Sequence, residues 1–385
     1  MSSLLLPAPE RALARASRLQ RAIHSLRSEG DSRGRESAAV GTGLLIGCTP
    51  FWGTHFFLCW GAGWMLRLNR LKIYLAANLI NPLILPPLLY AEIQTGAWLR
   101  RGQTVALTRE SFATMSPWAF GGDLIVGSLV VGTAVGLVGA LVTFAARRPT
   151  RDPFFRQLAR RAADRYIDAG ITAWEFARGK LSGDPIYRHA LDVLLAGRTG
   201  TLVDLGCGQG LMLALVAEAQ AKADGWESTR SAAPEFSRLV GIETRPRVAA
   251  MAARALEHEA DVLTGDIRLE GLPTSDVVLL FDVLHLLPAS DHVPLLRLVL
   301  DALAPGGCLY VREADAAAGW RFRMVRWGNR LKALATRHWS QRFAFRTAAD
   351  WTRTLEAAGY ATDVVAMGEG TPFGNVLIIA RRPPA

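Results

Sequence analysis

Cysteine is scarce in this chain. Its 385 residues hold four, Cys48, Cys59, Cys207 and Cys308, with no C-x-x-C spacing among them. That argues against a zinc site and offers no disulfide framework, so no metal is expected and the compartment is a reducing one. No secretory leader is expected either, since Leu4-Leu5-Leu6 is the one apolar patch before a proline and a set of charges. The net charge of +10 would suit nucleic acid or a membrane surface, yet no nucleic-acid-binding motif accompanies it, and no such partner is expected. Acidic residues are thin in the first 150 positions, seven against fifteen Lys and Arg. Those basic residues flank apolar runs, which points to an anionic bilayer.

Apolar residues are abundant instead. They make up half of the chain, and the mean hydropathy of +0.18 is high for a wholly soluble protein. Leu124–Phe144 runs 21 residues without a charge and is closed by Arg147-Arg148. At about 1.5 Å per residue such a helix crosses the ~30 Å hydrocarbon core. Gly132-x-x-x-Gly136, with Gly139 beyond, offers it a smooth side for close packing, or is glycine scattered by chance. Ala38–Leu66 and Ile73–Tyr90 are uncharged as well, but Gly47-Cys-Thr-Pro50, Gly53, Asn81-Pro82 and Pro86-Pro87 break them. Their freed backbone groups need protein partners or a re-entrant path. Arg67, Arg70 and Lys72 belong on the cytoplasmic side with the arginine-rich N-terminus. The expectation is a helical membrane domain over 38–148, with 38–66 re-entrant, 73–90 crossing outward and 124–144 returning. Ahead of it, 1–37 is a basic segment in which 11–27 forms one amphipathic helix, lying on a leaflet or solvated with one packed face.

After Arg147 polarity rises. Residues 149–199 read as a helical lead-in, and 200–385 alternate strand and helix. Strands are expected at Leu202–Leu205, Arg238–Glu243, Val262–Thr264, Val277–Phe281, Cys308–Arg312, Ala361–Met367 and Asn375–Ala380. That is an α/β, doubly wound sheet. Thr201–Gly210 is the most telling stretch, a buried strand that breaks into Gly206-Cys-Gly208-Gln-Gly210 and reopens as the apolar helix Leu211–Glu218. Glycines let a ligand lie against bare backbone, and the helix start offers it unpaired N–H groups. A dinucleotide fingerprint would need a third glycine where Leu211 stands. Glu243 ends the second strand, where a carboxylate can accept both hydroxyls of a ribose, or serve as a surface turn acid. His285 follows the fourth strand and titrates near neutrality, which suits a base; it could equally pack beside the site or cap a helix.

Asp204-x-Gly206-x-Gly208-x-Gly210 resembles motif I of the class I S-adenosyl-L-methionine (SAM) methyltransferases. The resemblance implies a Rossmann-like seven-stranded sheet with an antiparallel closing pair and SAM as cofactor. It places Asp204, Gly206, Cys207, Gly208 and Gly210 around that cofactor, with Glu243 and Thr244 at its ribose. Asp266 would accept from the adenine amino group, and Ile267 would pack on the ring. Asp282 resembles motif IV, a cofactor ligand or a strand-end acid holding loop N–H groups. Lys180–Tyr187 resembles the lead-in that lids the cofactor, and Pro305-Gly-Gly307 the turn into strand five. Gly41-x-x-x-x-x-Gly47-Cys-Thr-Pro50-Phe-Trp-Gly53, Leu66-Arg-Leu-Asn69, Ala77-x-Leu-Ile-Asn-Pro82 and Pro86-Pro87-Leu-Leu-Tyr90 are similar to an uncharacterised bacterial membrane domain. That domain is often fused to envelope glycosyltransferases or methyltransferases. Inner-membrane anchoring follows, and because SAM is kept in the cytosol the catalytic half is expected there.

In Gly319–Trp339, Trp320, Met324, Trp327, Leu331 and Leu334 recur at helical spacing among arginines. This is an interfacial helix admitting a lipophilic substrate, or a lid helix whose tryptophans face the core. The combined expectation is O-methylation of a lipophilic or lipid-linked envelope or pigment precursor, with His285 as base. A non-catalytic SAM-binding module is the alternative. An NAD-dependent short-chain oxidoreductase is disfavoured by Leu211 and because no tyrosine has a lysine four residues later. The sequence says nothing of oligomeric state.

Overall fold

The structure, a computed structural model, describes residues 6–28, 32–51, 53–80, 84–106, 116–146, 152–222, 232–269, 271–335, 343–367 and 373–383, with the side chains of 331–335 left out. Asn81-Pro82 and Trp339 lie outside the described residues. The chain forms two compact units, one of residues 18–151 and one of 1–17 together with 152–385.

The 18–151 unit is helical. Its described helices are α2 (Arg18–Ser28), α3 (Arg33–Gly47), α4 (His55–Leu66), α5 (Arg70–Ala77), α6 (Leu85–Arg101) and α7 (Pro117–Ala146). Helix α7 covers 30 residues, and only 22% of its most apolar stretch is buried. Its charge-free run begins after Asp123, which is fully buried and neutralised by Arg100 at 2.8 Å and by Arg101. The glycine spacing is used for packing. A Cβ on Gly136 would stand 2.7 Å from the Gly41 carbonyl oxygen, and one on Gly132 3.0 Å from Cys48 Cβ, so α7 and α3 meet backbone to backbone. The single crossing expected over 73–90 does not form as one helix. Helix α5 ends at Ala77 and α6 begins at Leu85, with its prolines in the first turn, where their missing N–H groups cost no helical bond.

The other unit opens with α1 (Ala8–Arg15), which packs on α8 (Pro153–Asp164) and α12 (Pro246–Leu256). Arg11 and Arg15 pair with Glu257, and Arg15 also with Asp168 at 2.7 Å. The one helix expected over 11–27 is therefore two, parted at Ala16-Ser17, because the first arginines find acids far along the chain. After α8 come α9 (Ile171–Gly183) and α10 (Pro185–His189), which continues as a π turn over Ala190–Leu194.

The sheet holds seven strands, β1 (Thr199–Leu205), β2 (Glu235–Glu243), β3 (Asp261–Thr264), β4 (Ser275–Phe281), β5 (Leu303–Ala314), β6 (Ala361–Ala366) and β7 (Asn375–Arg381), in the order β3-β2-β1-β4-β5-β7-β6. All pairings are parallel except the two made by β7. Helices α11 (Leu211–Ala221), α13 (His292–Ala302), α14 (Trp320–Ala335) and α15 (Ala348–Ala358) complete the layers with α12. The seven strands stand where the apolar runs predict them, and the fold is the Rossmann-like methyltransferase sheet. Pro305-Gly-Gly307 is a bulge inside β5, where pairing jumps from Ser275↔Leu303 to Val277↔Cys308. The order reverses between β1 and β4, so a crevice opens beyond the C-terminal ends of those strands.

Gly136→Val should lower the melting temperature of the detergent-solubilised chain by an amount corresponding to roughly 1–3 kcal/mol, the cost of overpacking. Gly121→Ala on the same helix meets nothing within 4 Å and should hold or raise the melting temperature, since alanine favours a helix over glycine.

Candidate active site

The turn after β1 is held from three sides. Gly206 and Cys207 donate their N–H groups to the Ile242 carbonyl at 2.8 and 3.1 Å. The Gly208 N–H donates to Glu243 Oε2 at 3.0 Å. Tyr166, fully buried, donates its hydroxyl to the Gln209 carbonyl at 2.7 Å. The glycines at 206 and 208 both have positive φ, +70° and +57°. A Cβ on Gly206 would stand 2.5 Å from Val283 Cγ2, whereas one on Gly208 would meet nothing within 4 Å. Gly206 thus lets the segment after β4 close on the turn, and Gly208 faces open space. The Cys207 side chain turns the other way, over Gly241 of β2. Burial pushes its thiol pKa up.

Asp204 and Glu243, at the ends of β1 and β2, are both buried. Burial, and then the charge of Glu243, push Asp204 up to about 7. Burial acts on Glu243 in the same sense, but hydrogen bonds from Arg245 and the Gly208 N–H hold it below the usual carboxylate range. Its Oε1 accepts from Arg245 N at 3.0 Å and Arg245 Nε at 2.8 Å, while Thr244 is exposed beside it. The Arg245 side chain is itself more than half exposed, so it can leave when another donor arrives. Asp266 is gripped by Arg268, with Nη2–Oδ2 at 2.6 Å, while Ile267 is buried in the sheet core with Val203, Leu205 and Val283. The open cradle at Gly208 and the acceptor at Glu243 fit a cofactor carrying a ribose.

A second group of residues lies across Val283, at the ends of β4 and β5. Asp282 takes a left-handed conformation, φ +59°, which costs a non-glycine residue about 1 kcal/mol or more. Its N–H donates to the Arg312 carbonyl at 2.8 Å. The Arg312 guanidinium, almost fully buried, lies between two acids, with Nε 3.0 Å from Asp282 Oδ1 and Nη1 2.8 Å from both oxygens of Asp184. Asp184 also receives Lys180 Nζ at 2.7 Å, so the lead-in is tied to the sheet. Burial would raise the pKa of both acids, but Arg312 holds each below its ordinary value. Asp282 is therefore committed to an ion pair.

The neighbouring residue, Glu313, points to the opposite face of β5, as strand alternation requires. It is fully buried, and its Oε2 lies 2.7 Å from His285 Nδ1. The His285 backbone N–H donates to Oε1 of the same carboxylate at 3.3 Å. The imidazole stacks on Phe345 with ring centroids 4.7 Å apart. Burial opposes its charging, but Glu313, with help from Asp282 and Asn329, raises its pKa above the ordinary value. Arg312, Glu313, Asp184 and Tyr166 escape sequence reading, since nothing in spacing pairs Asp184 with a strand 128 positions on. The signal that could have found two of them is an Arg-Glu pair interrupting an apolar strand. Arg312→Met leaves two partly exposed carboxylates without the cation they share, although Asp184 keeps Lys180, and should cost roughly 1–3 kcal/mol in urea unfolding of the full chain. Arg245→Ala removes an exposed partner and should cost under ~1 kcal/mol in the same measurement.

Comparison with known proteins bears on the family. Residues 174–364 match the family model described as "Methyltransferase domain", and residues 16–152 match "Uncharacterized protein conserved in bacteria (DUF2062)". The chain is 28% identical over 201 residues to a trans-aconitate 2-methyltransferase of Methylobacterium nodulans, covering 50% of this chain and 70% of that one. It is 31% identical over 125 residues to a carboxy-S-adenosyl-L-methionine synthase of Psychrobacter arcticus, covering 31% and 43%. Among solved structures, the complex of the Haloferax volcanii Trm112 methyltransferase activator with its putative methyltransferase is matched at 18% identity and a TM-score of 0.41, covering 58% of this chain and 98% of that one. The chain belongs to the SAM-dependent methyltransferases, its catalytic domain joined to a DUF2062 domain.

Proposed function

We propose that this methyltransferase is anchored in a bacterial inner membrane and methylates an oxygen of a lipophilic or lipid-linked acceptor, with His285 as base and Glu313 positioning it. The observation that carries the reading is the buried contact between His285 Nδ1 and Glu313 Oε2 at 2.7 Å. A carboxylate has no proton to give, so the neutral imidazole carries its hydrogen on Nδ1 and its lone pair on Nε2. A hydroxyl acceptor loses its proton as it is methylated; Nε2 takes that proton, and Glu313 stabilises the imidazolium that results. When bound, SAM supplies an electrophilic methyl group on its sulfonium. The chain's part is positioning. Glu243, once Arg245 swings aside, accepts the ribose hydroxyls, and Gly208 admits the ligand to the backbone. Asp204 closes the site from β1, and Asp266, once Arg268 swings aside, accepts from the adenine amino group. Asp282, held by Arg312, fixes the strand end from which His285 projects. The relative named for trans-aconitate supports a small molecule as acceptor.

His285→Ala should keep SAM affinity, measured by calorimetry, and lower turnover on a membrane lipid extract by roughly 10²–10⁴-fold; unchanged turnover rejects the base. Because only neutral His285 is active, kcat/KM should rise with pH through a value above the ordinary 6.5. Glu313→Gln removes the charge that favours the imidazolium, so that limb should move to lower pH while kcat falls more than KM changes.

The membrane reading rests on α7 and on connectivity. Residues on both flanks of 18–151 belong to one compact unit, so the two ends of 18–151 share one side of the bilayer. The number of full crossings is then even. Helix α7 supplies one, and the shorter helices packed on it supply the return; α3 and α6 alone reach only about 22–26 Å. Reporters fused to the N- and C-termini of the full chain should both be active in the cytoplasm. Opposite sides for the two would overturn this topology.

A further inference from the structure

We propose that α14 docks on an anionic bilayer through its outward face and thereby brings lipid-borne acceptors to His285. The helix has two opposed faces at about 100° per residue. Phe322, Val325 and Asn329 share the inner one. Phe322 meets Phe345 edge-on with ring centroids 5.2 Å apart, and Phe345 is the ring stacked on His285. Asn329 reaches the same imidazole. Trp320, Met324 and Trp327 lie on the opposite face and are 56%, 46% and 64% exposed. A lid helix of a soluble enzyme would turn its tryptophans inward, but here Phe322 and Asn329 fill the inward positions.

The surroundings of that face select its occupant. Residues 320–335 carry Arg321, Arg323, Arg326, Arg330 and Lys332 and no acid. Arg323, Arg326 and Arg330 are exposed, and the ion pairs among the described residues do not include them. Tryptophan favours the bilayer interface, where its ring is half in hydrocarbon and its N–H stays wet. Guanidinium groups bind lipid phosphates through paired hydrogen bonds, and each basic residue near an anionic leaflet adds to the attraction. A face that is aromatic at its centre and basic at its margin matches that surface. One helix then has lipid on one side and the base on the other, so an acceptor embedded in the leaflet reaches His285 around its edge. The docking rests on the helix alone, whereas the route to the base rests on the role of His285 given above.

The test uses the full chain with Trp327 replaced by benzoylphenylalanine, reconstituted in vesicles of phosphatidylcholine with about a third phosphatidylglycerol and irradiated. Adducts are identified by mass spectrometry, with the same probe at exposed Val364 of β6 as reference. Phospholipid adducts at 327 should exceed those at 364 roughly tenfold. They should fall toward the reference in phosphatidylcholine alone, and also after Arg323→Glu, Arg326→Glu and Arg330→Glu together. Equal adducts at the two positions, adducts indifferent to lipid charge, or chain-to-chain adducts dominating at 327 would each overturn the proposal. SAM affinity measured on the same vesicles separates the two readings: with SAM bound and no lipid adduct, docking fails alone; with the adduct present and His285→Ala fully active, the base assignment fails alone.

Discussion

The guanidinium of Arg312 is the constraint on which the rest of the catalytic unit turns. It is almost wholly removed from water, and a buried cation is tolerable only when paired and hydrogen-bonded. Asp184 and Asp282 answer that demand from two sides. The first brings the lead-in against the sheet, with Lys180 behind it. The second is held in a left-handed conformation that the chain would not otherwise keep. Because Arg312 points one way from β5, its neighbour Glu313 must point the other, and there it meets His285. A requirement of electrostatics at one strand end thus sets the position of the imidazole.

Much of the fold was legible because a parallel sheet covered on both faces writes its strands as apolar runs, and each such run from Leu202 to Ala380 became a strand. The glycine turn was legible for a local reason, since strand, turn and helix succeed one another within ten residues. What was not legible depends on contacts distant in sequence. Arg11 and Arg15 read as part of one basic helix until Glu257 and Asp168 give them partners more than 150 positions away. Asp282 read as a ligand candidate because a strand-end acid has that look, and only the fold reveals that Arg312 already holds it. The uncharged stretch 73–90 read as one crossing with prolines inside it, whereas Pro86-Pro87 stand in the first turn of a new helix.

His285 illustrates the same limit from the other direction. Its position after the fourth strand was visible, but a histidine there could have packed, capped or taken a proton. Glu313 orders the ring, a contact that spacing could not foretell. Nothing in an apolar strand ending in Arg-Glu states which of the two charges faces which side; alternation does so only once the neighbours are known.

The two clusters of charge differ in kind, and the difference follows their tasks. On the β1–β2 side stand carboxylates beside an open backbone cradle, with Asp204 pushed up to about 7 by burial and by Glu243. That set is rich in acceptors and suited to a ligand that arrives with hydroxyl and amino groups. On the β4–β5 side the charges are already matched in pairs and the remaining surface is aromatic, with Phe345 on His285 and Phe322 on Phe345. That set holds the imidazole of His285 between a buried carboxylate and an aromatic ring. Gly206 separates them: a side chain there would strike Val283 and force the halves apart. The missing side chain at Gly206 is what lets the turn after β1 and the segment after β4 lie against each other.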